Sequence, residues 1–418
     1  INRIKNNKKF ISNFTYLSIL EIFILLAPFI TYPYLVRILG RELYGWVITA
    51  QVTASYCTIL IDFGFKRISA RHIATNTGNL EKIGEIISAI LTLRGILWLL
   101  SFILYVSIVW LIVPYRHQMV LFLYSFLTTL SSVFFLDFYF QGTENMKYIT
   151  IVNIVVRGIF VAATFVFITG PEDYIYVPLL WGIGYAMGGA ISLGIVFIRH
   201  KIRFKIPDRG VLQKHMHEGS VVFFSDLMLT IKDKFNYNLM GGLIGMSDIV
   251  IYDIGSKISS LLLKPITILS TVLYPTMAKT PSVSLAKKTM GLIIFISSCL
   301  VIVVNIFLPW IVRFFIDEDV DLLAIRLFTL SPIILGVSSF VAINIFFAFG
   351  KEKLVLRSTI VTTIGYLCLL VIMYFLDLLT SVMAFVILTI SAYSIEAIYR
   401  GLLFKHISKE ENQTSQPH

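Results

Sequence analysis

Apolar runs long enough to cross a lipid bilayer recur along the whole sequence, and this feature constrains the fold most. A hydrocarbon core of about 30 Å needs roughly 20 apolar residues in a helix. The sequence predicts twelve such spans, at residues 14–38, 43–65, 83–113, 118–141, 148–169, 177–198, 217–244, 248–276, 289–315, 322–349, 354–376 and 379–403. No connection between spans has room for a soluble catalytic domain. We therefore predict an all-α, polytopic membrane protein.

The basic residues fall mainly on one side of these spans. The formal net charge is +11, which in a soluble protein would suggest nucleic acid as a partner. With the N-terminus inside, however, 24 of the 35 lysines and arginines lie in cytoplasmic segments, Arg400 among them, and only five lie in exterior connections. Since positive charge favours the cytoplasmic side, we expect both termini in the cytoplasm. Anionic membrane lipids, not nucleic acid, are then the expected partner of the basic surface.

The chain divides into two halves of six predicted spans. We predict an N-terminal lobe at 1–198, a basic cytoplasmic linker at 199–216, a C-terminal lobe at 217–404 and a disordered tail at 405–418. The halves also echo each other in sequence, in that two similar segments stand at equivalent places. Phe138–Gly142 lies at the end of the fourth span and Phe346–Gly350 at the end of the tenth. An even number of spans per half gives both halves the same orientation, related by a two-fold axis along the membrane normal. This is the layout of a transporter that binds its substrate between two lobes, not of an enzyme.

Ionisable residues inside the spans are the candidate functional residues, because each costs about 2.5 to 3.5 kcal/mol at a helix centre. In the eighth span Asp253, Lys257, Ser260 and Lys264 step by four, three and four residues and share one helical face. Asp253 also precedes Lys257 in the favourable order for an ion pair. The competing interpretation is that these charges form buried ion pairs that fix helix register. We favour the lining of a transport pathway for this stripe.

Other spans carry weaker polar patterns. In the seventh span Asp226 and Asp233 share a face, whereas Lys232 and Lys234 diverge, so we expect one of these lysines to form a structural ion pair. The second and fifth spans also carry polar stripes. These stripes consist of Gln51, Ser55 and Asp62, and of Asn153, Arg157 and Thr164. Four further charges are isolated, and the pattern assigns them no face: Glu21, Arg94, Asp137 and Glu396.

No metal site is predicted. His215 and His217 stand close together in sequence, but histidines two residues apart diverge on a helix, and no further ligand cluster lies nearby in the chain. The cysteines Cys57, Cys299 and Cys368 stand singly in apolar spans and fit neither a disulfide framework nor a metal site.

Several motifs resemble the O-antigen repeat-unit flippases (Wzx type), a polysaccharide-transporter family within the superfamily of MATE-like multidrug, oligosaccharidyl-lipid and polysaccharide exporters. Pro33–Gly40, which contains Arg37 and ends on Gly40, is similar to the segment after that family's first helix. Asp62–Phe65 and the nearby Arg71 resemble the end of its second helix. The segment from Asp137 through Gln141 to Gly142 looks like its Asp-Trp-Tyr-Phe-Gln-Gly signature, with Phe138 in place of Trp. Tyr252–Lys257 resembles part of its eighth helix.

The resemblance implies a V-shaped fold of two six-helix lobes of the MATE and MurJ kind. It also implies alternating access, with an oligosaccharide on undecaprenyl diphosphate as the substrate, carried across the bacterial (Gram-negative) inner membrane. The family's cationic cavity would correspond to Arg157, Lys234, Lys257 and Lys264, with Asp253 as the neighbour of Lys257. Proton or sodium coupling would use Asp62, Asp233 or Glu21 as candidate carboxylates, and no other cofactor is expected. Candidate protein partners are other O-antigen assembly proteins, namely the polymerase and the chain-length regulator.

Two other functions stay open. A drug or lipid II exporter of the same superfamily would share the layout and differ only in substrate. A membrane-embedded O-antigen polymerase or glycosyltransferase is less favoured, because such enzymes carry a long exterior loop that the sequence lacks. A channel is least favoured, since no selectivity-filter segment interrupts a span.

Overall fold

The computed structural model describes residues 2–279, 282–318 and 320–414, and every regular element in those ranges is helical. The first nine α-helices are α1 Asn2–Asp62, α2 Phe65–Thr75, α3 Leu80–Leu111, α4 Val113–His117, α5 Met119–Phe126, α6 Leu130–Phe134, α7 Asp137–Gly142, α8 Met146–Phe167 and α9 Tyr176–Leu193. The other seven are α10 Arg209–Leu243, α11 Met246–Lys279, α12 Val283–Phe315, α13 Leu323–Phe328, α14 Ser331–Val341, α15 Glu352–Phe375 and α16 Val382–Thr414.

Within the described residues, ten helical stretches are long and apolar enough to cross a membrane. The first, Ser18–Thr75, covers residues 18–38 of the first predicted span and all of the second. Within α1 these spans are two helices that meet at a kink at Gly40, where φ is 75° and ψ is 163°. The predicted seventh span lies in α10, which is not among the ten, because it carries Asp226, Lys232, Asp233 and Lys234 close together. The polytopic all-α prediction is confirmed.

The chain forms two compact units, Ile1–Leu227 and Met228–His418. Helix α10 begins in the first unit and ends in the second. The boundary between the units therefore lies inside a helix, whereas the sequence placed it in the 199–216 connection. The assignment of six spans to each lobe remains a prediction.

Each unit has its own hydrophobic core, and the echoed phenylalanines lie in both. Phe138 and Phe140 are fully buried in the core of the first unit. Phe346 is fully buried in that of the second. The sequence echo therefore marks equivalent core segments, each placed just before a new helix.

The predicted fourth span is not one helix. It runs through α5, a 3-10 turn at Leu127–Thr129, and α6, and then unwinds at Phe135 and Leu136 before α7 begins. The freed backbone groups have partners, because the Leu136 N–H donates to the Ser192 hydroxyl at 3.0 Å and Arg94 donates to the Phe135 carbonyl at 3.5 Å. Such satisfaction is what allows a non-helical segment at membrane depth.

The segment predicted as a disordered tail, 405–418, begins inside α16. Helix α16 continues to Thr414, so residues 405–414 are helical. The segment is polar, but its Lys, Glu and Gln residues are good helix formers that extend a helix already nucleated in the preceding apolar span. Residues 415–418 of the predicted tail lie outside the described residues.

Candidate functional site

A sharp turn at the end of α1 positions one wall of the candidate site. Phe63 and Gly64 adopt positive φ values of 46° and 75°, a conformation that glycine tolerates without strain. Gly64 also packs against α10, where an added Cβ would lie 2.6 Å from the Cβ of Val222. Phe63 stacks on Phe223 with ring centroids 4.5 Å apart. The Asp62–Phe65 motif thus turns the chain from α1 into α2 while contacting the start of α10.

The second motif forms α7, which packs on α2. A Cβ added to Gly142 would lie 2.7 Å from the Ala70 carbonyl oxygen and 2.8 Å from Ile73, so only glycine allows this approach. Tyr139 of the same motif lies 2.8 Å from Nδ1 of His200. Burial, and secondarily the charge of Arg199, lowers the pKa of His200. The histidine tautomer sets the direction of this hydrogen bond, since Nδ1 of a neutral ring is either the donor or the acceptor.

These elements enclose a polar cavity of about 570 Å³ inside the first unit. Its walls include four carboxylates, two cations and several neutral polar side chains. The charged residues are Glu21, Asp62, Asp137, Asp226, Lys66 and Arg94. Gln141, Asn153 and Tyr185 are among the neutral ones. The cavity thus brings together the predicted coupling carboxylates Glu21 and Asp62 with two residues of the signature motif.

Arg94 is the central cation of this cavity. It is 1% exposed, forms an ion pair with Asp62 and holds its guanidinium 5.0 Å from the centre of the Phe138 ring. It also donates to the carbonyl of Phe135 at the unwound segment. Arg94 thus joins α3, the end of α1 and the break in the fourth span.

Two more of the cavity carboxylates, Asp137 and Asp226, are paired with basic residues of α2. Lys66 Nζ lies 2.6 Å from Asp137 Oδ2, and Arg67 lies 3.0 Å from Asp226 Oδ1. With Arg67 counted, four carboxylates face three cations at the cavity, so the wall has a formal excess of one negative charge. That excess favours a small cation or a proton over an anion.

Arg157, a predicted substrate cation, lies in the first unit on an aromatic patch. Its guanidinium carbon is 5.5 Å from the Trp181 ring centre, and Trp181 stacks on Tyr185 of the cavity wall with centroids 5.5 Å apart. The Nε atom of Arg157 is buried without a hydrogen-bond partner. The side chain therefore combines a cation with an aromatic surface.

The predicted stripe on α11 lies in the second unit. Lys257 Nζ is 2.5 Å from Asp253 Oδ2, as the i,i+4 spacing predicts. Asp253 is buried and its other oxygen accepts a 3.0 Å hydrogen bond from Tyr237. The Lys257 side chain is 38% exposed, Lys264 is half-buried and Ser260 is exposed. Tyr237 thus holds the buried Asp253 by a hydrogen bond, and the partly exposed Lys257 pairs with its second oxygen.

The charges of α10 in the second unit separate into two kinds. Lys232 is the structural lysine that the sequence anticipated, with Nζ 2.6 Å from Glu396 Oε2 and both side chains 4% exposed. Asp233, by contrast, is exposed, and its carboxylate lies 3.8 Å from Lys232. Lys234 is half-buried. Of the predicted candidates on this helix, Asp233 and Lys234 remain accessible.

The Lys232 network extends further than helical spacing predicted. Arg400, expected among the exposed cytoplasmic basic residues, lies 2.5 Å from Glu396 Oε1 and is 5% exposed. The i,i+4 spacing of Glu396 and Arg400 on α16 was the available signal. The two arginines of the family-like motifs, Arg37 and Arg71, are exposed.

Comparison with known proteins fits this architecture. The chain matches the family described as polysaccharide biosynthesis protein over residues 10–281. It is 23% identical over 369 residues to a protein of Escherichia coli (strain K12) named "Putative O-antigen transporter", covering 86% of this chain and 88% of that protein.

Two solved structures share the fold. The first, an inward-facing multidrug resistance MATE family transporter, aligns with a TM-score of 0.73 at 15% identity, covering 95% of this chain and 99% of that one. The second, the lipid II flippase MurJ in an inward closed conformation, aligns with a TM-score of 0.74 at 14% identity, covering 93% and 87%. The chain is therefore a multi-pass membrane transporter of the flippase and exporter class, not an enzyme, and it belongs to the polysaccharide biosynthesis protein family.

Proposed function

We propose that the protein is a flippase that moves undecaprenyl-diphosphate-linked O-antigen oligosaccharide units across the Gram-negative inner membrane by alternating access. The observation that carries this proposal is the similarity to a protein named as an O-antigen transporter, which extends over 86% of this chain and 88% of that protein. The fold is also that of a lipid II flippase, so a lipid-linked substrate is compatible with this architecture.

The cations of the second unit suit the diphosphate. A diphosphate brings about two negative charges that need lysine or arginine partners away from bulk water. Lys257 is partly exposed on a membrane helix, and its partner Asp253 keeps a second hydrogen bond from Tyr237. If Lys257 turns to the diphosphate, Asp253 therefore keeps one hydrogen-bond donor, the Tyr237 hydroxyl. Lys264 stands two helical turns further along the same face and Lys234 lies on α10, so both extend the cationic surface.

The cavity of the first unit suits ion coupling. Its carboxylates outnumber its cations, and a proton or sodium ion would balance that excess. We assign this role to Glu21 and Asp62, with Asp233 of the second unit as the remaining candidate. Both termini lie in the cytoplasm under this proposal. The O-antigen polymerase and the chain-length regulator are candidate protein partners.

The main alternative is export of drugs or lipid II by the same architecture. The observation that favours it is the shared fold with a multidrug transporter and with MurJ. Fold alone does not select a substrate, so the alternatives separate only by transport measurements.

Complementation of a flippase-deficient Gram-negative strain tests the diphosphate assignment. The double variant Lys257→Ala, Lys264→Ala should lose surface O-antigen at wild-type protein level. Each lost charge-assisted bond costs about 2 kcal/mol, which weakens binding by at least about tenfold. The matched control is Lys287→Ala, Lys288→Ala, which removes two exposed lysines of α12 and should retain O-antigen. Normal O-antigen from the Lys257, Lys264 variant would refute the assignment.

A further inference from the structure

Two histidines and a glutamate meet in the first unit, away from the polar cavity. They are His72 on α2 and His215 and Glu218 on α10, and one ligand atom from each lies within 4.8 Å of the other two. His215 and Glu218 are three residues apart and so share a helical face. His72 comes from a distant part of the chain, so sequence spacing alone could not predict that it joins His215 and Glu218.

The spacing of these atoms is close to that of a metal site. With zinc-to-ligand distances of 2.0 to 2.2 Å in a tetrahedral arrangement, neighbouring ligand atoms lie about 3.3 Å apart. Nε2 of His72 lies 3.3 Å from Oε2 of Glu218. The rings of His72 and His215 have centroids 5.4 Å apart and an interplanar angle of 48°. Small side-chain rotations therefore bring all three ligand atoms to one ion.

The cluster also has the burial expected of a binding site, with one ligand residue buried and two partly exposed. His215 is 3% exposed, and its Nδ1 atom is buried without a hydrogen-bond partner. A buried, unsatisfied ring nitrogen costs free energy, which a metal bond would recover. The side chains of His72 and Glu218 are 27% and 30% exposed, so the cluster is open to an ion from solvent on that side.

The backbone around the cluster is fixed by the contacts already described. Gly64 packs on Val222 and Phe63 stacks on Phe223, which sets α2 against the start of α10. Nearby cations are Lys214, 4.0 Å from Glu218 Oε1, and Lys82, whose charge reaches His215. They leave Oε2 of Glu218 directed at His72.

We propose that His72, His215 and Glu218 bind a divalent transition-metal ion, zinc foremost, with water completing the coordination. Two imidazoles and one carboxylate form a ligand set that zinc accepts with an open fourth position. The bound ion would fasten α2 to α10, directly after the turn that carries Asp62 and Lys66 into the cavity wall. The site is thus a device for holding that wall in place and is separate from the substrate cations.

The test is zinc binding by the full-length chain purified in detergent, stripped with chelator and then dialysed against zinc. The wild type should retain one zinc ion per chain by elemental analysis. His72→Ala and Glu218→Gln should each lose it, because three protein ligands fall to two. Both positions are partly exposed, so these variants are expected to stay folded, which size-exclusion chromatography checks; His215→Ala serves as a third variant.

The matched control is His217→Ala, which removes an exposed histidine of the same helix and should keep the zinc. X-ray absorption of the wild-type sample should show nitrogen and oxygen neighbours at about 2.0 to 2.2 Å. A wild type that retains no zinc, or equal zinc in the wild type and in both His72→Ala and Glu218→Gln, overturns the proposal and leaves only an imidazole–carboxylate ion pair.

Discussion

Asp62 and Glu21 line the same cavity but are held differently. Asp62 is ion-paired with Arg94, which is 1% exposed and cannot reach solvent. Removing one partner of a buried pair leaves the other charge uncompensated, at a cost of about 3 to 5 kcal/mol. Glu21 is exposed in the cavity wall, and an ion pair of an exposed carboxylate contributes only about 0 to 1 kcal/mol, so loss of its charge costs the fold far less. The two carboxylates are therefore separable by experiment.

We expect Glu21→Gln to abolish the acceleration of flipping by a proton or sodium gradient while leaving thermal stability unchanged. Asp62→Asn should lower both, with a stability loss of up to about 3 kcal/mol because Asp62 is itself partly exposed. Flipping in liposomes with and without an imposed gradient, together with thermal unfolding in detergent, measures both effects. Glu172→Gln, an exposed carboxylate outside the cavity, is the control. A Glu21→Gln protein that still responds to the gradient contradicts the assignment.

At this scale the sequence predicted contacts between near neighbours and missed those between distant ones. The Asp253–Lys257 pair follows from i,i+4 spacing and is present at 2.5 Å. The partner of Lys232 was not predictable, because Glu396 stands at the other end of the second unit's sequence. Arg94 and Asp62 were both recognised as costly charges, but nothing in helical periodicity could join them. Tertiary packing supplies that information.

For the helices, too, sequence patterns predicted local features and missed those that depend on distant residues. Hydropathy located the spans, because every lipid-crossing helix needs a long apolar run. It could not locate the break at Phe135 and Leu136, since both residues are apolar and the break is stabilised by Ser192 and Arg94 from other helices. The structure gives the motif glycines physical reasons: Gly64 and Gly142 allow the close packing of α2, α7 and α10, and Gly40 adopts a positive φ.

Gly142→Ala tests the packing of α7 on α2. The new Cβ would lie 2.7 Å from the carbonyl oxygen of Ala70, and backbone cannot move aside as a flexible side chain can. Overpacking of this kind costs about 1 to 3 kcal/mol, so we expect a lower melting temperature in detergent and reduced O-antigen in complementation.

Gly158→Ala is the matched control for that substitution. Gly158 lies inside α8 with no atom within 4 Å of an added Cβ. Alanine there should be neutral or stabilise the helix by up to about 1 kcal/mol. Equal melting temperatures for Gly142→Ala and the wild type would show that α7 has room to shift.

For the whole molecule, two echoed sequences produce two units that each close around their own core. Phe140 and Phe346 are each fully buried in their respective cores, as expected of a duplicated ancestor. Yet the polar content of the units differs. The first holds a cavity rich in carboxylates, and the second carries the Asp253 to Lys264 stripe and the buried Lys232 network. This division favours ion coupling in one unit and anion recognition in the other.

Substrate choice is the prediction that belongs to the whole molecule. Liposomes containing the purified protein should move a polyprenyl-diphosphate oligosaccharide between leaflets, detected by a sugar-modifying enzyme confined to one side. Cationic drugs should neither be exported nor slow the flipping, since the stripe on α11 offers lysines that repel a cation.

The Lys257→Ala, Lys264→Ala protein supplies the internal comparison. It should lose at least about tenfold in flipping rate, from the same loss of about 2 kcal/mol per charge-assisted bond. The Lys287→Ala, Lys288→Ala protein should match the wild type. Export of cationic drugs without flipping of the lipid-linked sugar would instead assign the protein to multidrug export, and the cationic stripe would then be a structural feature of α11.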